Sequence, residues 1–276
     1  MHSENIYRPS EPSYTTTPVL NGVVKWGAIM GQSNIDARNL IEELPNDVTN
    51  PSTIVKTYEC GLRDWDSTIS PASGVDGSTQ AFSSDTVALN RLATNLGETV
   101  YVVKRSKSGS HFYVQDDNVN LVAGDWNINS NQYVDYFPSF MTRLRSAKVY
   151  TEQVLGKNFK LVYLWCDIFE EDSRNSTKEQ LAIDFKEFVD AVREFAEDPL
   201  LPIIHREIML SQRDITQWGI DLQNEFATQG HPNYIENYNL IPSTGITLQD
   251  ASHLDTAGSL LVADRALPIL TNIYQN

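Results

Sequence analysis

Short apolar runs and longer amphipathic stretches alternate along the chain, and their two periods separate strands from helices. Val23, Val24, Trp26, Ala28 and Ile29 predict a mostly buried strand that breaks at Gly31-Gln32-Ser33-Asn34, where glycine lets the backbone turn without a Cβ clash. Residues 34–44 open with an N-cap-type residue and carry Ile35, Leu40, Ile41 and Leu44, which predicts a helix directly after the turn. Residues 45–84 are rich in Gly, Ser, Asp, Thr and Pro, with isolated Tyr58, Trp65 and Phe82, and read as surface loops around a site. Trp65 could stack on a sugar there or simply cover part of the core.

Val87, Leu89, Leu92 and Leu96 give a helix closed by Gly97, and Val100 to Val103 give a strand opening into the polar stretch from Lys104 to His111. A helix is expected over 138–155, then an apolar strand over 159–165 running into Cys166-Asp167-Ile168-Phe169-Glu170-Glu171-Asp172. Leu181, Phe185, Phe188, Val189, Val192 and Phe195 mark an amphipathic helix with a core-facing stripe. A strand over 202–210 contains His205, which reads as a satisfied core histidine. A helix over 215–227 and a short strand over 234–241 follow, and the last helix, 256–274, is expected to bend near Pro268. Strand and helix patterns alternating in this way predict an α/β fold, a mostly parallel, doubly wound sheet between two helical layers.

The 276 residues are 41% hydrophobic, enough for one large domain over 23–276. Residues 1–22, rich in Ser, Thr, Pro and Tyr, read as an arm or linker, either docked on a protein partner or loosely packed. No stretch approaches the length of a membrane span, and the N-terminus lacks the basic start and apolar core of a signal peptide. The expectation is a soluble protein, cytoplasmic or reaching a virion or the cell exterior without a signal peptide. A formal charge of -15 argues against nucleic acid and against an anionic membrane surface, while a neutral or acetylated polymer remains an acceptable partner. Cys60 and Cys166 give neither a disulfide framework nor metal-ligand spacing.

Candidate chemistry gathers at both ends of the chain. Ser33, at a strand-to-helix turn, would see the N–H groups of a helix N-terminus, which favour developing negative charge. Asp250 and His253 lie three residues apart before the final helix, so one turn can set the carboxylate on one imidazole nitrogen and leave the other outward, as a triad requires. His111, beside Gly109, is the rival base. Glu170, Glu171 and Asp172 could bind a metal or move protons, but they read better as acids at a helix start.

On these residues the chain resembles the SGNH hydrolases, and within them the sialate O-acetylesterase-like enzymes of carbohydrate esterase family six. Gly31-Gln32-Ser33-Asn34 resembles the family's nucleophile block, Lys104 to Ser110 with Gly109 its second block, and Leu164-Trp165 the start of its Trp-x-Gln-Gly-Glu block. Asp250-Ala251-Ser252-His253 resembles its Asp-x-x-His block. The resemblance implies a three-layer, flavodoxin-like sheet, Ser33 as nucleophile, His253 as base and Asp250 as its orienter. It also implies an oxyanion hole from the amides of Ser33 and Gly109, no metal or organic cofactor, and an acetyl ester on a carbohydrate as substrate. One block departs: with Trp165 aligned, Asp167 stands where the family has Gln and Ile168 where it has Gly. Asn34 is then a candidate third donor, Gln32 a further candidate at the site, and Glu170 or Glu171 recovers the family Glu if one residue is inserted. The competing reading is a catalytically weak esterase-fold protein that binds glycan or builds a virion or cell surface.

Overall fold

Strand β1, Val23–Gly31, lies in the middle of the sheet because its sequence leaves almost nothing for water: from Trp26 onward every residue is buried. The computed structural model describes residues 20–35, 39–48, 52–58, 68–69, 81–113, 124–130 and 135–276. After β1 come β2 (Asn39–Leu40), a 3-10 turn (Ile41–Glu43), β3 (Ser52–Tyr58), β4 (Thr68–Ile69), β5 (Ala81–Phe82), α1 (Ser84–Leu96) and β6 (Val100–Ser106). The second half contains α2 (Tyr136–Gln153), β7 (Asn158–Asp167), α3 (Asp172–Asn175), α4 (Lys178–Ala196), β8 (Ile203–Arg206), α5 (Gln217–Ala227), β9 (Tyr238–Ile241) and α6 (Thr256–Gln275).

Seven strands form one sheet in the order β4-β3-β6-β1-β7-β8-β9, parallel throughout except for the β3–β4 pair, and β2 pairs with β5 apart from it. From β1 the chain crosses to β3 and β4 at one edge, returns to β6 beside β1, and then crosses to β7, β8 and β9 on the other side, so the exits of β6, β1 and β7 meet at a switch point, where open α/β sheets leave a crevice. Trp26, Ala28 and Met30 pack with α2, α4 and α5 on one face, and Ile29 packs with α1 and α6 on the other. The core-facing stripe of α4 is buried from Leu181 to Val192, and the Thr177 hydroxyl caps its start by accepting from the Gln180 amide at 3.2 Å. The three-layer α/β architecture expected from the alternation is the one observed.

Two local expectations fail. Among the described residues no helix follows Ser33; the chain turns through Ile35 and reappears as β2 and the 3-10 turn. Long-range bonds win over local propensity there, since the Asn34 side chain is drawn to distant loops and Asn39 Nδ2 donates to Ser259 Oγ at 2.7 Å. The stretch read as surface loops also holds β3, whose residues Val55 to Tyr58 pair in parallel with β6. The arm at 1–19, Cys60 and Trp65 lie outside the described residues. Cys166 is fully buried, and burial pushes its thiol pKa up. Among the described residues no helix is long and apolar enough to cross a membrane.

Candidate active site

The turn carrying Ser33 is fixed from below. Gly31 pairs with Ser106 of β6 and Asp167 of β7, and a Cβ at Gly31 would stand 2.5 Å from the Asp167 carbonyl oxygen, so the tight exit requires glycine. The Gln32 amide donates to the Asp167 carbonyl at 2.9 Å and the Ile35 amide to the Gln32 carbonyl at 3.2 Å. Ser33 is thereby left half-buried between buried Gln32 and Asn34. The Gly31 carbonyl accepts from the Lys107 amide at 3.0 Å and from Ser110 Oγ at 3.4 Å, which seats the β6 exit loop beside the same turn. In that loop Gly109 takes φ 76°, a left-handed conformation that suits glycine. Neither the Ser33 nor the Gly109 amide donates to an acceptor among the described residues.

Asp250 organises the loop before α6 with both oxygens. Its Oδ1 accepts from the amides of Ser252 at 2.7 Å and His253 at 2.8 Å, and its Oδ2 receives His253 Nδ1 at 2.7 Å. The His253 hydrogen bond, with help from the two amides, holds the Asp250 carboxyl down to about 2. With the proton on Nδ1, the Nε2 lone pair is the imidazole's free acceptor. The loop is tied to the Ser33 turn through Asn34, whose Oδ1 accepts from the Leu254 amide at 2.9 Å. Asn34 Nδ2 donates to Glu170 Oε1 at 3.0 Å and to the Ser252 carbonyl at 3.3 Å. Both of its protons are therefore engaged, and the side chain serves as a tie between loops rather than as a third oxyanion donor.

Asp167 does not present a carboxylate to an oxyanion. Its side chain is fully buried and accepts from Arg206 Nε at 3.0 Å and Nη2 at 2.8 Å, in the forked geometry that guanidinium and carboxylate share. Arg206 Nη2 also donates to Glu170 Oε1. Burial holds the Asp167 carboxyl above its ordinary value against the pull of Arg206. Burial also pushes Glu170 up, but Arg206 and the hydrogen bonds from the backbone and Asn34 outweigh it, so Glu170 stays below its ordinary value.

Glu170 accepts from Asn34 at 3.0 Å, and Glu171 instead pairs with Arg174 at 3.1 Å. Just before Glu170, Phe169 takes φ 102°, a conformation suited to glycine and costly for a bulky residue. A setting of aromatic rings holds it, with Phe185 at 5.0 Å and His205 at 4.6 Å between ring centroids. Arg206 was missed by sequence reasoning, although a cation inside the apolar run Ile203-Ile204-His205-Arg206 already requires a buried acid on a neighbouring strand.

His111 is a poor rival base. It is buried, its Nδ1 donates to the Tyr113 carbonyl at 2.8 Å, its ring stacks on Tyr113, and burial, partly offset by that carbonyl, lowers its pKa to about 4. The three acids do stand at a helix start, with Glu171 at the N-cap of α3 and Asp172 in its first turn, but the two buried ones also have partners of their own: Glu170 faces Arg206, and Asp172 Oδ1 accepts from the amides of Phe112 at 2.6 Å and Tyr113 at 3.2 Å. His205 is the satisfied core histidine expected, donating from Nε2 to the Ile168 carbonyl at 3.2 Å and accepting at Nδ1 from Tyr238 at 2.7 Å.

No protein-family model and no curated protein sequence matches the chain. Solved structures do. A protein from Arabidopsis thaliana, AT4G34215, superposes with a TM-score of 0.63 at 13% identity, covering 94% of this chain and 99% of its own. NanS superposes with a TM-score of 0.60 at 13% identity, with the same coverages. XAC1771, a carbohydrate acetylesterase from Xanthomonas citri, gives 0.54 at 10% identity, covering 92% of this chain and 57% of its own. The chain shares the α/β fold of these proteins.

Proposed function

We propose that the chain is a serine esterase that removes O-acetyl groups from a carbohydrate. Ser33 is the nucleophile, His253 the base and Asp250 the group that holds the imidazole tautomer. The observation that carries this reading is the 2.7 Å contact between His253 Nδ1 and Asp250 Oδ2, on a loop tied to Asn34, the residue next to Ser33. In the reaction Ser33 Oγ attacks the acetyl carbonyl as Nε2 of His253 takes its proton, and the amides of Ser33 and Gly109 receive the developing oxyanion. The protonated imidazole then gives its proton to the departing sugar hydroxyl. Water, activated by the same base, releases acetate and restores the serine.

The carbohydrate part of the proposal draws on the shared fold with a carbohydrate acetylesterase and on a net charge of -15, which disfavours polyanionic partners. The competing reading of a weak or inactive esterase-fold protein leaned on the arm at the N-terminus and on an Asp167 carboxylate in the oxyanion hole; that carboxylate is bound to Arg206. The test is release of p-nitrophenol from its acetate by wild type and Ser33→Ala, with acetate release from an acetylated glycan as the second substrate. Wild-type turnover abolished by Ser33→Ala is the expected result. Equal rates for the two proteins remove the reading.

A further inference from the structure

The carbonyl of Ser252 and Oε1 of Glu170 share the same two donors. Asn34 Nδ2 reaches them at 3.3 Å and 3.0 Å, and Gln212 Nε2 reaches them at 2.8 Å and 3.5 Å, so two side-chain amides and two acceptors close a ring. Asn34 adjoins Ser33, and Ser252 adjoins His253. The ring therefore spans the two halves of the proposed catalytic set without containing either reacting side chain.

Gln212 is built for this place. It is buried, its amide donates to the Met209 carbonyl at 3.0 Å, and its Oε1 accepts from the Met209 amide at 3.1 Å, which turns the NH2 group towards the ring. The next residue acts on the same loop, since the Arg213 amide donates to the Ala251 carbonyl at 2.6 Å. The loop needs such holding. The Asp250 and Ala251 residues are exposed and Ser252 and His253 only half-buried, so packing does little to set their height above the sheet. The shortest bond in the ring is the one from Gln212 to Ser252.

We propose that Gln212 is a positioning residue, which fixes the Ser252 carbonyl and through it the Asp250–His253 pair relative to Ser33; the proposal rests on the esterase reading of those three residues. Small displacements of a catalytic group cost rate out of proportion to their size, because attack and proton transfer both need near-contact geometry. Removing the NH2 group should lower kcat and leave binding of a small ester almost untouched.

The experiment compares wild type, Ser33→Ala, Gln212→Met and Gln212→Asn on p-nitrophenyl acetate, with folding followed by circular dichroism. Asn keeps an amide but is one methylene short of spanning both acceptors, and it serves if the Met variant does not fold. The expected result is a kcat roughly tenfold to hundredfold lower in both variants, by analogy with the loss of groups that orient metal ligands, with KM within about twofold of wild type. A second readout does not depend on activity. The downfield proton resonance of the His253 Nδ1–H bonded to Asp250 should be sharp in wild type and broadened or lost in the Gln212 variants. Folded variants with wild-type kcat, beside an inactive Ser33→Ala, overturn the positioning role and leave the esterase reading intact. If wild type itself is inactive, the esterase reading fails, and an unchanged resonance in the variants overturns the positioning role separately.

Discussion

Asn34 Oδ1 accepts the backbone amide of Leu254 at 2.9 Å, joining two loops 220 residues apart in sequence. An asparagine beside a candidate nucleophile invites a role in stabilising charge on the substrate. Its bonds to Glu170, Ser252 and Leu254 give it a different one, because each engages the protein's own groups.

Asn34→Ala should therefore damage both stability and turnover. The buried Leu254 amide would lose its acceptor, at a cost of about 1–3 kcal/mol for an unsatisfied buried group, and Ser252 would keep Gln212 as its donor. Thermal unfolding and acetate hydrolysis measured together check this. Full turnover in a folded Asn34→Ala protein would show that the loop before α6 is held without it.

Asp250→Asn should leave the fold in place and cut turnover steeply. In serine proteases the same change lowers kcat by about 10⁴, because an amide no longer selects the tautomer with its proton on Nδ1. The Asp250 carboxyl, held down to about 2 by His253 and the two amides, is ionised across the neutral range, so it adds no acid limb to the activity profile there. The sign for stability follows: a depressed carboxylate contributes above its unfolded value of 3.8, and that contribution is lost as pH falls through about 2. A wild-type rate in Asp250→Asn would place the orienting carboxylate elsewhere.

Much of this layout was legible in sequence. Buried strands announce themselves by unbroken apolar runs, as in Trp26 to Met30, and helix ends by residues such as Gly97, whose φ of 68° closes α1. Asp250 and His253 were legible because their contact is local, three residues apart. What stayed hidden depends on distant partners. Asn34 has the composition of an N-cap and becomes a tie only because Glu170, Ser252 and Leu254 are brought to it. Asp167 reads as an obstacle to catalysis until the fold supplies Arg206 from the neighbouring strand.

Asp167→Asn is for that reason expected to lower stability and not to raise kcat. Arg206 is fully buried between Asp167 and Glu170, and removing one partner of such a pair costs about 3–5 kcal/mol because a buried charge is left short of compensation. Arg206→Met should be worse, since two buried carboxylates would then face each other. Chemical denaturation and acetate turnover decide the matter; a faster Asp167→Asn enzyme would return the side chain to the oxyanion hole.

Asp172 offers a test by pH. Its carboxyl is fully buried, and burial raises its pKa to about 8 against the pull of the Phe112 and Tyr113 amides, so the folded protein carries it protonated at neutral pH. An unfolded aspartate ionises near 3.8, which means that between about pH 4 and 8 the native state binds the extra proton and wild-type stability falls as pH rises. Asparagine keeps an acceptor for the two amides and does not titrate. The melting temperature of Asp172→Asn minus that of wild type should therefore grow from about pH 4 to about pH 8 and then level off. Since those amides anchor the segment that follows Gly109, loss of turnover in wild type above pH 8 should be smaller in the variant. A melting difference independent of pH would mean that Asp172 is ionised in the native protein and that its charge, rather than its proton, holds the loop.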